Sequence, residues 1–138
     1  MSCEGRKAMS LEDQPIERIG SAPWSFHLSS HDVSKMLKGF TPGEMEQRWM
    51  CKTDADGPGS QGDIVVHFCR SWTGDEYYRI RAKREDNGAQ VIEIKWNKGN
   101  KDYPTDEEEA KRTVVNFSRG LLGCQLEDAP EELKKPAY

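Results

Sequence analysis

The sequence predicts an α+β fold: a small antiparallel sheet of about four strands, with a C-terminal helix packed on one face and short N-terminal helices beside it. Three observations predict it. Ile64, Val66 and Phe68 alternate with Val65, His67 and Cys69, so both faces of this strand are largely apolar, as in a strand inside a sheet. After a polar and aromatic turn, Tyr78, Ile80 and Ala82 alternate with Tyr77, Arg79 and Arg81, the pattern of a half-solvated antiparallel strand. Further on, Ala110, Val114, Phe117 and Leu121, joined by Leu122, form one apolar helical stripe.

Taken in order, residues 1–22 are polar without a sustained period and read as a flexible segment. Residues 23–28 carry Trp24, Phe26 and Leu28, an extended piece able to dock on the domain. Ser30 or Asp32 caps a short helix in which Val33, Met36 and Leu37 share a face, and Gly39 ends it. Thr41, Pro42 and Glu44 predict a second helical turn with a capping box. Residues 48–52 read as the first strand. The loop that follows opens with Asp54-x-Asp56-Gly57, but it lacks the later oxygen ligands and terminal Glu of a calcium loop.

Asp86-Asn87-Gly88 predicts a three-residue hairpin loop with Gly88 left-handed. Pairing Glu85 with Ala89 then sets Ala82 opposite Ile92, Ile80 opposite Ile94 and Tyr78 opposite Trp96 on one face, and Arg81 opposite Glu93 on the other. Thr105 with Glu108 predicts a capping box, acidic residues 106–109 suit the positive end of the helix dipole, and Gly123 ends the helix. Residues 127–138 read as a flexible acidic tail, which leaves 23–126 as a single domain. The expected core is Val66, Phe68, Ile80, Ile92, Ile94, Trp96, Val114, Phe117 and Leu121, with Trp49 beside it.

Composition narrows the function classes. With 35% hydrophobic and 32% charged residues and a mean hydropathy of −0.88, the chain is polar for a compact domain. No apolar run reaches the roughly 20 residues of a membrane span, and the N-terminus lacks the apolar stretch of a signal peptide. A cytoplasmic protein without membrane contact is the expectation. The net charge of −4 argues against nucleic acid, whose binding rests on phosphate neutralisation. Arg79, Arg81, Lys83 and Arg84 form a basic stripe, yet Glu76, Glu85, Asp86 and Glu93 cut its field. Cys3, Cys51, Cys69 and Cys124 show no C-x-x-C spacing, and His27, His31 and His67 complete no zinc pattern, so neither a metal site nor a cofactor is expected. His67 and Cys69 share a strand face roughly 7 Å apart, too far for direct proton transfer.

The densest chemistry lies in Arg70-Ser71-Trp72-Thr73-Gly74. Arg70 offers a planar donor fork for phosphate or carboxylate. Trp72 can stack on a flat ring. Ser71 and Thr73 add hydroxyls, and Gly74 permits close backbone approach. In the competing structural reading, Trp72 plugs the end of the core while Arg70 and Thr73 bond backbone groups of the turn.

This motif, preceded by a Val-His-Phe strand and by Lys38-Gly39-Phe40 and residues 45–49, resembles a family of small uncharacterised microbial proteins marked by a (His)-Arg-Ser-Trp-Thr-Gly motif. Cys69 stands where that family often has His. The resemblance covers about residues 38–122. Its association with ADP-ribose-processing domains implies a nucleotide-like or ADP-ribose-like ligand.

The sequence thus points to a small ligand-binding or interaction module that recognises an anionic, ring-bearing ligand through Arg70 to Gly74. One alternative is an enzyme acting on ADP-ribose or a related nucleotide, with His67 as acid/base. Another is a protein–protein interaction domain or homodimer using the same turn. Paired carboxylates, a phosphate-binding glycine loop and a catalytic triad are missing from the pattern, which places the enzyme second.

Overall fold

The computed structural model describes residues 9–40, 48–55, 63–71, 73–99 and 104–134. The fold is α+β. A five-stranded antiparallel sheet is built from β1 (Ile19–Ser29), β2 (Trp49–Ala55), β3 (Asp63–Arg70), β4 (Glu76–Glu85) and β5 (Gly88–Asn97), in the spatial order β1-β5-β4-β3-β2. One face is covered by α1 (Ser30–Lys38), by α2 (Glu107–Phe117) and by the π-helical turn Ser118–Leu122 that prolongs α2. Among the described residues no helix is long and apolar enough to cross a membrane.

The fifth strand is the segment read from sequence as a docked extended piece. Trp24, Phe26 and Leu28 do point inward, but the backbone pairs with β5 from Ile19 to Ser29. Pro23 is compatible with this because β1 is an edge strand, where a missing N–H need not break a ladder. The register shifts between Pro23 and Phe26. The chain ahead of β1, expected to be flexible, also joins the fold over residues 9–18. Two 3₁₀ turns, Leu11–Asp13 and Ile16–Arg18, lie there, and Leu11 is only 1% exposed. Leu11 stands outside the main core cluster, against the other face of the sheet. At the far end Ala129 and Leu133 are buried and Glu131–Lys134 is helical, so this part of the expected tail is packed as well. The helical turn expected at Thr41–Glu44 and most of the loop after Asp54 lie outside the described residues.

The β4–β5 hairpin follows the expected register at one end only. Tyr78 opposes Trp96, Ile80 opposes Ile94, and Arg81 opposes Glu93, as the sequence predicts. The loop, however, has two residues, with Glu85 paired to Gly88, so Ala82 opposes Val91. A bulge absorbs the one-residue offset, and Ile92 is the surplus residue. It is 36% exposed rather than core, and Val91 takes its place inside. Gly88 has φ +139°, and a Cβ there would stand 1.9 Å from the Leu28 carbonyl oxygen. The positive φ and the close approach of β1 together require glycine at position 88.

Both helix caps differ from expectation. Ser29, the last residue of β1, keeps extended backbone, and its Oγ accepts from the Asp32 amide at 3.1 Å. Asp32 is thereby released to accept from the amides of Gln125 and Leu126, both at 2.8 Å, and pins the C-terminal segment. Asp106 rather than Thr105 caps α2, its carboxylate accepting from the Glu109 amide at 2.8 Å. The Thr105 backbone is already engaged: its carbonyl accepts from the Trp96 indole and its amide donates to Lys98. Gly39 and Gly123 end their helices with φ +72° and +81°, as predicted. Val66, Phe68, Ile80, Ile94, Trp96 and Val114 are core, whereas Phe117, Leu121 and Trp49 are half-buried.

Candidate functional site

Of the residues singled out by the sequence, Arg70, Ser71, Thr73 and Gly74 lie at one end of the sheet, where β3 turns into β4. The turn's own backbone is held by the Arg70 amide donating to Asp75 O (2.9 Å), the Gly74 amide to Arg70 O (2.7 Å) and the Ser71 amide to Arg48 O (2.8 Å). Thr73 Oγ1 accepts from the Asp75 amide at 3.2 Å, and Gly74 has φ +79°. Thr73 and Gly74 therefore shape the turn. Trp72 lies outside the described residues.

Arg70 is different. Trp49 of β2 is its cross-strand partner, so both side chains fall on the helix-covered face, and the guanidinium carbon lies 5.2 Å from the Trp49 ring centroid. Trp49 in turn meets Phe117 of α2 at 4.9 Å, Tyr77 edge-on at 5.7 Å and Tyr78 at 5.9 Å. All four aromatics and Arg70 are half-buried. Tyr77 reaches this cluster because the β3–β4 register shifts between Phe68 and Cys69. Burial raises the Tyr78 phenol pKa, so this hydroxyl keeps its proton at pH 7. A cation over a ring, framed by further rings, can hold a flat anionic group by stacking and by charge.

A second group, on the opposite sheet face, is where the structure places His67. Its Nδ1 lies 2.6 Å from Glu76 Oε2 and its Nε2 2.9 Å from Asp54 Oδ2. Glu76 is 2% exposed, and its carboxylate also accepts from Arg79 Nε (2.8 Å) and Nη2 (2.7 Å) and from the Leu11 amide (3.0 Å). Arg79 continues to Glu12 through both terminal nitrogens. Burial would raise the Glu76 pKa, but the Arg79, His67 and Leu11 hydrogen bonds prevail and bring it down to about 2. For His67, burial acts downward and is outweighed by Glu76 and Asp54, so its pKa is raised. Burial and the Glu76 charge push the Cys69 thiol up to about 11, and burial lifts Cys51 and Cys124 to about 12. These thiols are protonated at neutral pH and are poor nucleophiles. Among the described residues, no His, Cys, Asp and Glu group of three or more is placed to hold a metal ion.

Sequence reasoning missed Glu76, Arg79, Asp54 and Glu12 as a set. A signal was present: a histidine on an interior strand needs polar partners, and Arg79 lies directly opposite it on β4. An open cleft of about 590 Å³ lies elsewhere, between Trp24 of β1 and the start of α2, lined also by Asp106, Glu107, Glu108 and Lys111. Its charges already have work: Lys111 pairs with Glu107 and lies 5.6 Å from the Trp24 ring, Glu108 pairs with Arg112, and Asp106 caps α2. The aromatic end is the better candidate, since there a cation and several rings converge. Comparison with protein-family models, with curated proteins and with solved structures finds no match to this chain.

Proposed function

We propose that the protein is a small binding module that recognises an anionic, ring-bearing ligand at the Arg70 end of the sheet. The observation that carries this reading is the Arg70 guanidinium 5.2 Å from the Trp49 ring, among the half-buried rings of Tyr77, Tyr78 and Phe117. In this proposal Arg70 grips the anionic group, Trp72 and the exposed parts of the aromatic cluster stack on the ring, and Ser71 with the Thr73–Gly74 turn fixes orientation. A nucleotide or an ADP-ribose-like compound has this chemistry, and the motif resemblance points the same way. Buried free thiols at Cys51, Cys69 and Cys124 fit a reducing compartment, the cytoplasm of a microbial cell.

Turnover of such a nucleotide by His67 is the weaker reading, because both ring nitrogens are occupied by carboxylates and the site lies on the other face of the sheet. Use of the aromatic end by a protein partner or a second copy is distinguished by the assay itself. Thermal unfolding is followed with nucleotides, ADP-ribose, NAD and short oligonucleotides. A ligand at about 100 times its Kd stabilises the fold by roughly 2.7 kcal/mol. The reading requires a shift with a nucleotide-like compound that Arg70→Ala abolishes while the unliganded Tm stays close to the parent. No shift with any compound, together with a concentration-dependent mass, would replace it with self-association.

A further inference from the structure

We propose that His67 is a proton-operated latch, which ties the end of β2 to the buried Glu76–Arg79 pair while the imidazole carries two protons and releases Asp54 when it loses one. The geometry points to this through hydrogen counting. A neutral imidazole has one N–H, yet both ring nitrogens face a carboxylate oxygen, at 2.6 and 2.9 Å. Both contacts can be hydrogen bonds only if both nitrogens carry hydrogen.

The two arms are unequal. Glu76 is buried and fixed from three further directions, by two Arg79 nitrogens and the Leu11 amide. Asp54 sits on the edge strand β2 with its side chain 75% exposed, one residue before the strand ends. The proton therefore leaves Nε2, the Nδ1–H bond to Glu76 stays, and an imidazole lone pair is left facing the Asp54 carboxylate. Asp54 is free to turn into water, and the end of β2 loses its side-chain anchor to the sheet.

The charges around His67 favour the closed state. Asp54 and Lys52 face it from β2, Cys69 lies two residues along β3, Glu76 and Arg79 face it from β4, and Glu12 reaches Arg79 from the N-terminal segment. Arg79 is neutralised on both sides by Glu76 and Glu12. Lys52 is exposed and the Cys69 thiol is uncharged at neutral pH. The two carboxylates that touch the ring directly are left to hold the proton.

The test is a pH titration of the imidazole nitrogens by NMR, combined with amide hydrogen exchange. In the parent protein the His67 midpoint lies above the ordinary value of about 6.5, and Nε2 is the nitrogen that deprotonates. Protection of the Asp54 amide, which faces Val65 of β3, falls across that same midpoint, while the Leu11 amide keeps its protection. Asp54→Asn, at an exposed position, keeps the fold, lowers the midpoint and removes the step at β2, because a neutral amide can also donate to Nε2. A midpoint at or below the ordinary value would overturn the proposal. So would deprotonation at Nδ1, or β2 protection that ignores the His67 titration.

Discussion

Glu76 Oε2 lies 2.6 Å from His67 Nδ1 and 2.8 Å from Arg79 Nε, so one buried carboxylate oxygen serves two cationic partners on adjacent strands. Its other oxygen takes the Leu11 amide at 3.0 Å. One side chain thus joins β3, β4 and the N-terminal segment, and stability should depend on it in two pH windows. The Glu76 pKa is depressed to about 2, so its contribution is full above the ordinary carboxylate value and is lost as pH falls from about 4.5 through about 2. The His67 pKa is raised, so its contribution is full below about 6.5 and is lost as pH rises through the folded value. A urea midpoint measured against pH should therefore fall at both ends, and Glu76→Gln should flatten the acid limb.

At pH 7, Glu76→Ala should cost about 3–5 kcal/mol, since it strands Arg79 and the Leu11 amide without their buried acceptor. Glu12→Ala should cost no more than about 1 kcal/mol, because that side chain is largely exposed. Equal losses from equilibrium unfolding would count against Glu76 as the shared anchor.

The register of β5 can be checked with two neighbouring isoleucines. Ile94→Ala should destabilise by about 2–5 kcal/mol, since Ile94 is fully buried opposite Ile80. Ile92→Ala should cost under about 1 kcal/mol, because the bulge turns that side chain outward. Similar costs at both sites would mean that the unbulged register is the true one.

Gly20 on β1 pairs with Trp96, and a Cβ there would fall 2.3 Å from the indole ring. Gly20→Ala should displace the ring, cost about 1–3 kcal/mol and change tryptophan fluorescence. The indole N–H is bonded to the Thr105 carbonyl ahead of α2, so the shift should also reach the start of that helix.

Asp32→Ala removes the acceptor for the Gln125 and Leu126 amides. A loss of about 2–3 kcal/mol is expected, with amide exchange rising first in residues 124–134. Leu126, held at φ +51°, depends most on this anchor.

Much of the architecture was legible in the amino-acid order because it rests on local patterns. The period-2 runs of β3 and β4 and the apolar stripe of α2 are set by which residues can face water, and Gly39 and Gly123 stop helices through φ alone. The pairing of Ile80 with Ile94 and of Arg81 with Glu93 followed from matching apolar faces. The motif at Arg70–Gly74 was visible because polar and aromatic residues interrupt two apolar strands.

What only the tertiary structure decided involves contacts between distant segments. Whether residues 19–29 form a strand depends on β5 offering its edge, and Pro23 conceals that locally. The two-residue turn at Asp86-Asn87 and the bulge that exposes Ile92 are set in the pairing of β4 with β5, where Gly88 also meets the Leu28 carbonyl of β1. Trp49 becomes the platform for Arg70 because β2 pairs with β3. Glu76, His67, Arg79, Asp54 and Glu12 become one network because buried charges have to find partners wherever the fold brings them; the sequence shows only that His67, on an interior strand, needs polar partners, not which ones.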